Sequence, residues 1–218
     1  TAGAREVHLI EEPLAAAIGA GLPVAEAIGS FVVDVGGGTT ELAVTALGGM
    51  VVSSSLQVGG YDFDEAIVRR VQQQHKLLVG QEQAEQVKID IGSALTAASP
   101  EGETEIAGRD LSTGMLRRLV LEPAEVTRAL ERPVAQIVDG VKDLLEQTPA
   151  ELSADVADRG LMLVGGGSLL RGFDDVLRQE TGLAVTRDSE PLTTVARGAG
   201  SALEELGQPR RRRSPHRR

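Results

Sequence analysis

The stretch Phe31-Val32-Val33-Asp34-Val35-Gly36-Gly37-Gly38-Thr39-Thr40-Glu41-Leu42-Ala43-Val44 decides how this chain reads. Residues 31–35 are apolar and β-branched apart from Asp34, which predicts a strand. Three consecutive glycines predict a tight turn. Residues 41–47 predict a second strand, Gly48-Gly49 a two-residue hairpin turn, and 50–58 a third strand. Gly59-Gly60 ends it. A helix capped by Asp62 or Asp64 then runs to about His75, with Ala66, Ile67, Val71 and Leu78 as its inner stripe.

Upstream, residues 7–10 read as a short strand, and Glu11-Glu12-Pro13 opens a helix from Leu14 to about Ala20, since Pro suits a first helical turn and acids there favour the dipole. Gly19, Gly21 and Pro23 stop it. Downstream, residues 82–98 form a helical block with Ala84, Val87, Ile91, Ala94 and Ala98 on one face. Residues 103–121 read as extended segments around a polar loop at Gly108-Arg109-Asp110. Pro123 and Pro133 each sit where a helix begins. Leu161-Met162-Leu163-Val164 predicts a strand, followed by Gly165-Gly166-Gly167 and a helix from Ser168 to about Thr181. A strand at 183–186 and a helix at 191–206 follow.

The composition excludes several classes. The chain has 218 residues, 41% hydrophobic and 25% charged, as in ordinary globular proteins. One Tyr, three Phe and no Trp leave few platforms for stacking bases. The net charge is −10 although six of the last ten residues are arginine, so the body is more acidic still and no nucleic-acid partner is expected. The absence of cysteine fits a cytoplasmic location. His8, His75 and His216 form no metal-binding spacing. Residues 1–5 carry no apolar run resembling a signal peptide, and no stretch is apolar over the ~20 residues a spanning helix needs.

The 34–40 turn is the first candidate site. Gly36, Gly37 and Gly38 let backbone N–H groups approach an anion, Thr39 and Thr40 add hydroxyls, and Asp34 at the strand end can hold a water of Mg²⁺ that bridges to a phosphate. A glycine-rich hairpin without ligand fits the same spacing. The second is Gly165-Gly166-Gly167-Ser168, where glycines let a base or sugar lie on the backbone and a helix N-terminus favours phosphate; many α/β proteins carry such a turn for structural reasons alone. Glu85 and Lys88, three apart, could flank a nucleoside or form an ordinary exposed ion pair. Glu12 could position water at a terminal phosphate or simply stabilise a helix start. The arginine tail suits an anionic surface or plain solvation.

Three antiparallel strands followed by a helix open the ribonuclease-H-like unit of actin-type ATPases. Further segments carry a closer resemblance. Leu9–Pro23, which includes Glu11-Glu12-Pro13-Leu14-Ala15-Ala16-Ala17, the 34–41 turn, Val58–Ile67, Ala84–Ala94, Asp158-Arg159-Gly160, the 165–171 turn and Glu180-Thr181-Gly182-Leu183 are similar, in that order, to the MreB family of bacterial actin homologues. The resemblance covers residues 5–206. It implies an α/β actin-like ATPase lobe that binds ATP and Mg²⁺. By the same resemblance Glu12 promotes hydrolysis and Gly37, Gly38 and Thr39, with Gly36, hold phosphate. Glu85, Gln86, Val87 and Lys88 hold the adenosine; Gly166, Gly167, Ser168 and Leu169 close the pocket; Asp34 organises Mg²⁺. It implies filaments of like protomers, association with the inner face of the cytoplasmic membrane, work with the cell-wall elongation machinery and a role in cell shape.

The implied organisation is residues 1–30 as a remnant of a first lobe, 31–76 with 151–190 as the nucleotide-binding core, 77–150 as an inserted, mainly helical subdomain, 191–206 as a returning helix and 207–218 as a disordered basic tail. The first-lobe phosphate hairpin of Asp-x-Gly-Thr type is missing from these residues. That predicts weakened ATP binding, and apolar faces of 1–30 and 191–206 left without partners. Two alternatives stay open: a non-catalytic interaction module on the same fold, and a chaperone-type ATPase lobe.

Overall fold

The computed structural model describes residues 3–207. Its centre is a five-stranded sheet in the order β3-β2-β1-β7-β8. β1 (Ser30–Val35), β2 (Thr40–Ala46) and β3 (Gly49–Leu56) form an antiparallel meander. β7 (Leu161–Val164) pairs parallel with β1, and β8 (Val185–Arg187) parallel with β7.

β1 is buried along its whole length because both faces of the sheet are covered. Phe31, Val33 and Val35 point to one face, where Leu42 and Val44 join them under the helices α2 (Gly60–His75), α4 (Pro123–Gln147) and α6 (Phe173–Thr181). Val32 points to the other face, with Ala43 and Val164, under Ala16 and Ala17 of α1 (Glu12–Gly19) and against Val195 of α7 (Thr194–Gly207). The three phenylalanines, at positions 31, 63 and 173, are all at most 1% exposed. With so few aromatics they anchor a core otherwise built of Leu, Val and Ile.

The helices of 1–30 and 191–206 cover each other, while Val7, Leu9, Leu192 and Leu203 of the same segments stay exposed, as expected of faces left without partners. A Cβ on Gly19 would lie 1.9 Å from the Thr194 carbonyl oxygen, and one on Gly198 would lie 1.8 Å from that of Ala15. Only glycine at both positions lets the two backbones approach so closely.

Residues 77–121 make a second sheet, β4-β5-β6, from β4 (Leu77–Leu78), β5 (Thr104–Asp110) and β6 (Leu116–Leu121). α3 (Gln81–Ile91) lies against it, and α5 (Ala150–Arg159) leads from α4 back to β7. Among the described residues no helix is long and apolar enough to cross a membrane.

Several sequence expectations are corrected. Residues 7–10 are not a strand; Leu9 is 97% exposed and no neighbouring strand offers it a ladder. The first hairpin turns on Leu47-Gly48, both at positive φ as a primed turn requires, and Gly49 opens β3. The polar turn between β5 and β6 lies at 111–114, because Asp110 Oδ1 accepts the N–H groups of Ser112 and Thr113. Gly108 is inside β5, where a Cβ would sit 2.4 Å from the Leu78 carbonyl oxygen.

Pro123 starts a helix, but Pro133 lies buried inside that same 25-residue helix. Burial of Val126, Leu130, Val134, Ile137 and Val138 on one stripe outweighs the ~3 kcal/mol a mid-helix proline costs. The 82–98 block is a helix only to Ile91, and a 3-10 turn follows at Thr96–Ala98. In α2 the inner residues are Phe63, Ile67 and Val71, Ala66 is half-buried, and Leu77 rather than Leu78 enters the core. The last helix begins at Thr194 rather than Pro191. The arginine tail lies in 208–218, outside the described residues.

Candidate functional site: the cleft over the β1–β2 turn

The turn closes on itself through the Gly36 N–H, which donates to the Thr39 carbonyl at 2.9 Å. Its carbonyls are strapped to the start of α2. Gly60 N–H donates to Gly36 O at 2.9 Å, and Tyr61 N–H to Gly37 O at 2.7 Å. A Cβ on Gly59 would meet those two oxygens at 2.7 and 2.8 Å, so only glycine allows the strap. Asp62, the third residue of α2, accepts the Gly59 N–H at 2.8 Å, so Asp62 and not Asp64 is the acid at the helix start. With the carbonyls engaged behind, the N–H groups of Gly37, Gly38 and Thr39 have no hydrogen-bond partner among the described residues. Gly37 and Gly38 are exposed. A turn that ties down its acceptors and leaves its donors free is built to meet an anion.

Thr40 does not contribute to that surface. It is fully buried, and its hydroxyl donates to the Val58 carbonyl at 2.7 Å.

Facing the turn is a cavity of about 670 Å³. Gly36 and Gly37 line one side, Gly166, Gly167 and Leu169 another, and Glu85, Lys88 and Ile89 of α3 a third. The two glycine-rich turns abut each other. A Cβ on Gly165, at φ +80, would lie 2.3 Å from Asp34 Oδ1, and one on Gly167 would lie 2.3 Å from Val35 Cγ1.

The other sequence candidates are placed differently. Ser168 is buried, with its hydroxyl donating to the Gly165 carbonyl at 2.6 Å. Gln86 points along the exposed face of α3 to Asp90, at 2.7 Å, and Val87 lies in the core. Neither lines the cavity. Lys88 does not pair with Glu85. Its ammonium lies 2.7 Å from Asp64 Oδ1 and donates to the Gly60 carbonyl at 3.2 Å, which fixes α3 against the start of α2. Burial raises the Asp64 pKa, the Lys88 ammonium opposes that rise, and Glu85 adds to it.

The expected α-helix directly after Gly165-Gly166-Gly167 is a 3-10 turn, Gly166–Leu169; the α-helix starts at Phe173. Gly172 at φ +70 separates the two. Arg171 in between donates to the carbonyls of Ile89 at 2.8 Å and Gly92 at 3.2 Å, tying this turn to the end of α3. Residues at this cavity that the sequence reading did not assign to a site are Gly60, Tyr61, Phe63, Asp64, Ile89, Leu170, Arg171 and Leu192. Tyr61 had a signal of its own, since it follows Gly59-Gly60 directly; its ring would lie 3.0 Å from a Cβ on Gly37.

Asp34 is 5% exposed and accepts no hydrogen bond among the described residues. Its pKa is raised to about 6, first by burial and then by the carboxylates of Glu12 and Glu41. Glu12, on the first turn of α1, is exposed and bears on Asp34 from across the sheet face. An unpartnered, nearly buried acid with two further carboxylates nearby fits a divalent cation, whose charge would reverse the local pKa balance. No three His, Cys, Asp or Glu side chains among the described residues converge on one metal position, so Asp34 suits contact through a metal-bound water.

A profile of the family described as "MreB/Mbl protein" matches residues 1–211. The chain belongs to the MreB/Mbl family. It is 53% identical over 205 residues to the cell shape-determining protein MreB of Escherichia coli K12, covering 94% of this chain and 59% of that protein. It is 42% identical over 213 residues to the cell shape-determining protein Mbl of Bacillus subtilis, covering 97% and 64%. Among solved structures it resembles MreB5 of Spiroplasma citri bound to AMPPNP, with TM-score 0.89 and 33% identity over 94% of this chain and 61% of that one. It also resembles the MamK double helical filament, with TM-score 0.74 and 25% identity over 90% and 59%. The fold is therefore the actin-like one, and the chain spans about three-fifths of the MreB/Mbl relatives it matches.

Proposed function

We propose that this lobe binds ATP with Mg²⁺ in the cavity between its two glycine-rich turns, as part of an actin-like filament protein that determines cell shape. The observation that carries the reading is the trio of unpartnered amides at Gly37, Gly38 and Thr39, held outward by the strap to Gly60 and Tyr61. Those amides receive the phosphates. Gly166, Gly167 and Leu169 lie along the nucleoside, and Glu85 with the stem of Lys88 borders the sugar and base. Ser168 shapes its turn from within, and Gln86 and Val87 act through the backbone of α3. Mg²⁺, when bound, would neutralise phosphate charge, and Asp34 would be the residue to hold it through a water. Glu12 orients the attacking water, as its place above Asp34 on α1 suggests.

Support for the nucleotide comes from the MreB5 structures, which are bound to AMPPNP and to ADP, and support for self-assembly from the MamK filament. Under this reading the partners are further protomers, the cell-wall elongation machinery and the inner face of the cytoplasmic membrane. The residue organisation is then 31–76 with 151–190 as the nucleotide-binding core, with 77–150 inserted and 1–30 and 191–206 reaching toward a first lobe.

Calorimetric titration of the chain with ATP and Mg²⁺ tests the reading. Saturable heat is expected, and Gly37→Val, whose side chain would crowd the Tyr61 ring and the free amides, should abolish it. No heat and no thermal shift at millimolar ATP would refute nucleotide binding by this lobe.

A further inference from the structure

A second cleft, of about 500 Å³, opens between α2 and α4 on the outer side of the lobe. Four arginines line it: Arg69 and Arg70 from α2, Arg128 and Arg132 from α4. The amides of Gln73 and Gln136 stand among them. This concentration of cations occurs in a chain of net charge −10, so it is not a sample of the average surface.

Carboxylates engage two of the four arginines and leave Arg128 and Arg132 without an ion pair among the described residues. Asp62 also lines the cleft, and its Oδ2 accepts the Gly59 N–H at 2.8 Å. Glu125 Oε1 contacts His75 Nε2 at 2.8 Å and stands 3.8 Å from Arg70 Nε. Glu65 pairs loosely with Arg69, at 3.5 Å. Arg128 and Arg132 are exposed and have neither ion pair nor hydrogen bond among the described residues. They are also four apart on one helix, where like charges repel. Arg70 Nε is buried without an acceptor. A helix that tolerates a repelling pair beside an unsatisfied guanidinium nitrogen is organised for a ligand that brings oxygen acceptors and negative charge.

We propose that this cleft is a binding site for a phosphate-bearing anion, with Arg128 and Arg132 as its principal contacts and Arg70 as its floor. Guanidinium forks match phosphate oxygens in pairs, and the glutamine amides add neutral donors at the rim. The site is separate from the glycine-turn cavity; the two share no lining residue. The phosphate comes from a soluble anion or from a lipid headgroup, and both present the same oxygens.

The test is calorimetric titration with inorganic pyrophosphate at physiological ionic strength. It compares the wild-type chain, Arg128→Gln/Arg132→Gln and Gly37→Val. The double variant removes two exposed, mutually repelling charges, so its thermal midpoint should be unchanged or slightly raised. The expected result is a binding component that Gly37→Val retains and that the double variant weakens at least tenfold. Flotation with phosphatidylglycerol vesicles assigns the source. Flotation of the wild type that the double variant loses points to lipid, and any other flotation result points to a soluble anion. Absence of pyrophosphate binding, or binding abolished by Gly37→Val and untouched by the arginine substitutions, would overturn the proposal.

Discussion

Replacing Asp34 by Asn should stabilise the ligand-free lobe at neutral pH and weaken its response to Mg²⁺-nucleotide. The stability effect follows from the raised pKa. In the unfolded chain this carboxyl titrates near 3.8, and in the fold at about 6, because burial, Glu12 and Glu41 all disfavour its charge. For an acid whose folded pKa is raised, the favourable contribution is complete below the unfolded value and lost as pH climbs through the folded one. Linkage then sets the destabilisation by the ionised group at about 3 kcal/mol at pH 7, and at roughly half that at pH 5. Urea unfolding of wild type and Asp34→Asn in parallel, from pH 4.5 to 7.5, isolates the effect of Asp34 and its coupling to Glu12 and Glu41, because the remaining titrating groups cancel in the difference. The variant should gain on the wild type as pH rises, with a thermal midpoint roughly 6–12 °C higher at pH 7 for a lobe of this size. A stability difference that stays flat across this range would refute the assignment of Asp34 as a destabilised carboxylate held for a cation. A residue that costs stability while unliganded is characteristic of a functional site.

Other substitutions test separate parts of the structure. Gly165→Ala forces a side chain into a glycine-only conformation, 2.3 Å from Asp34 Oδ1; a loss of about 3 kcal/mol in urea unfolding is expected. Lys88→Met leaves Asp64 buried without its cation and should cost about 3 kcal/mol, while Asp64→Asn/Lys88→Met recovers much of it; a double-mutant cycle reads the coupling. Gly198→Ala drives a methyl into the Ala15 carbonyl and should expose α1 to limited proteolysis while β1 stays protected in hydrogen exchange.

The central sheet was legible because its signals are local. Alternation of apolar residues, glycine pairs at hairpin ends and the 161–164 apolar run each declare a strand within a few residues. The tight turn after β1 was legible for the same reason, since three consecutive glycines at a strand end declare one. What stayed hidden depends on distant partners. Pro133 looks like a helix start until the buried stripe from Val126 to Val138 is seen to run through it. Lys88 looks like a partner for Glu85 until folding brings Asp64 to 2.7 Å. The strand expected at 7–10 has the right composition but no adjacent ladder. Arg128 and Arg132 belong to a cleft only because α2 packs alongside α4 and brings Arg69 and Arg70 opposite them.

The crossing of α1 and α7 at Gly19 and Gly198 has a mechanical consequence. Side chains between two helices act as a compressible pad that absorbs small displacements. Here main chain rests on main chain, and any tilt of one helix must be handed to the other at once. Asp34 and the β1–β2 turn stand on the sheet that these helices cover, so a push arriving at either helix reaches the cleft over that turn with little slack.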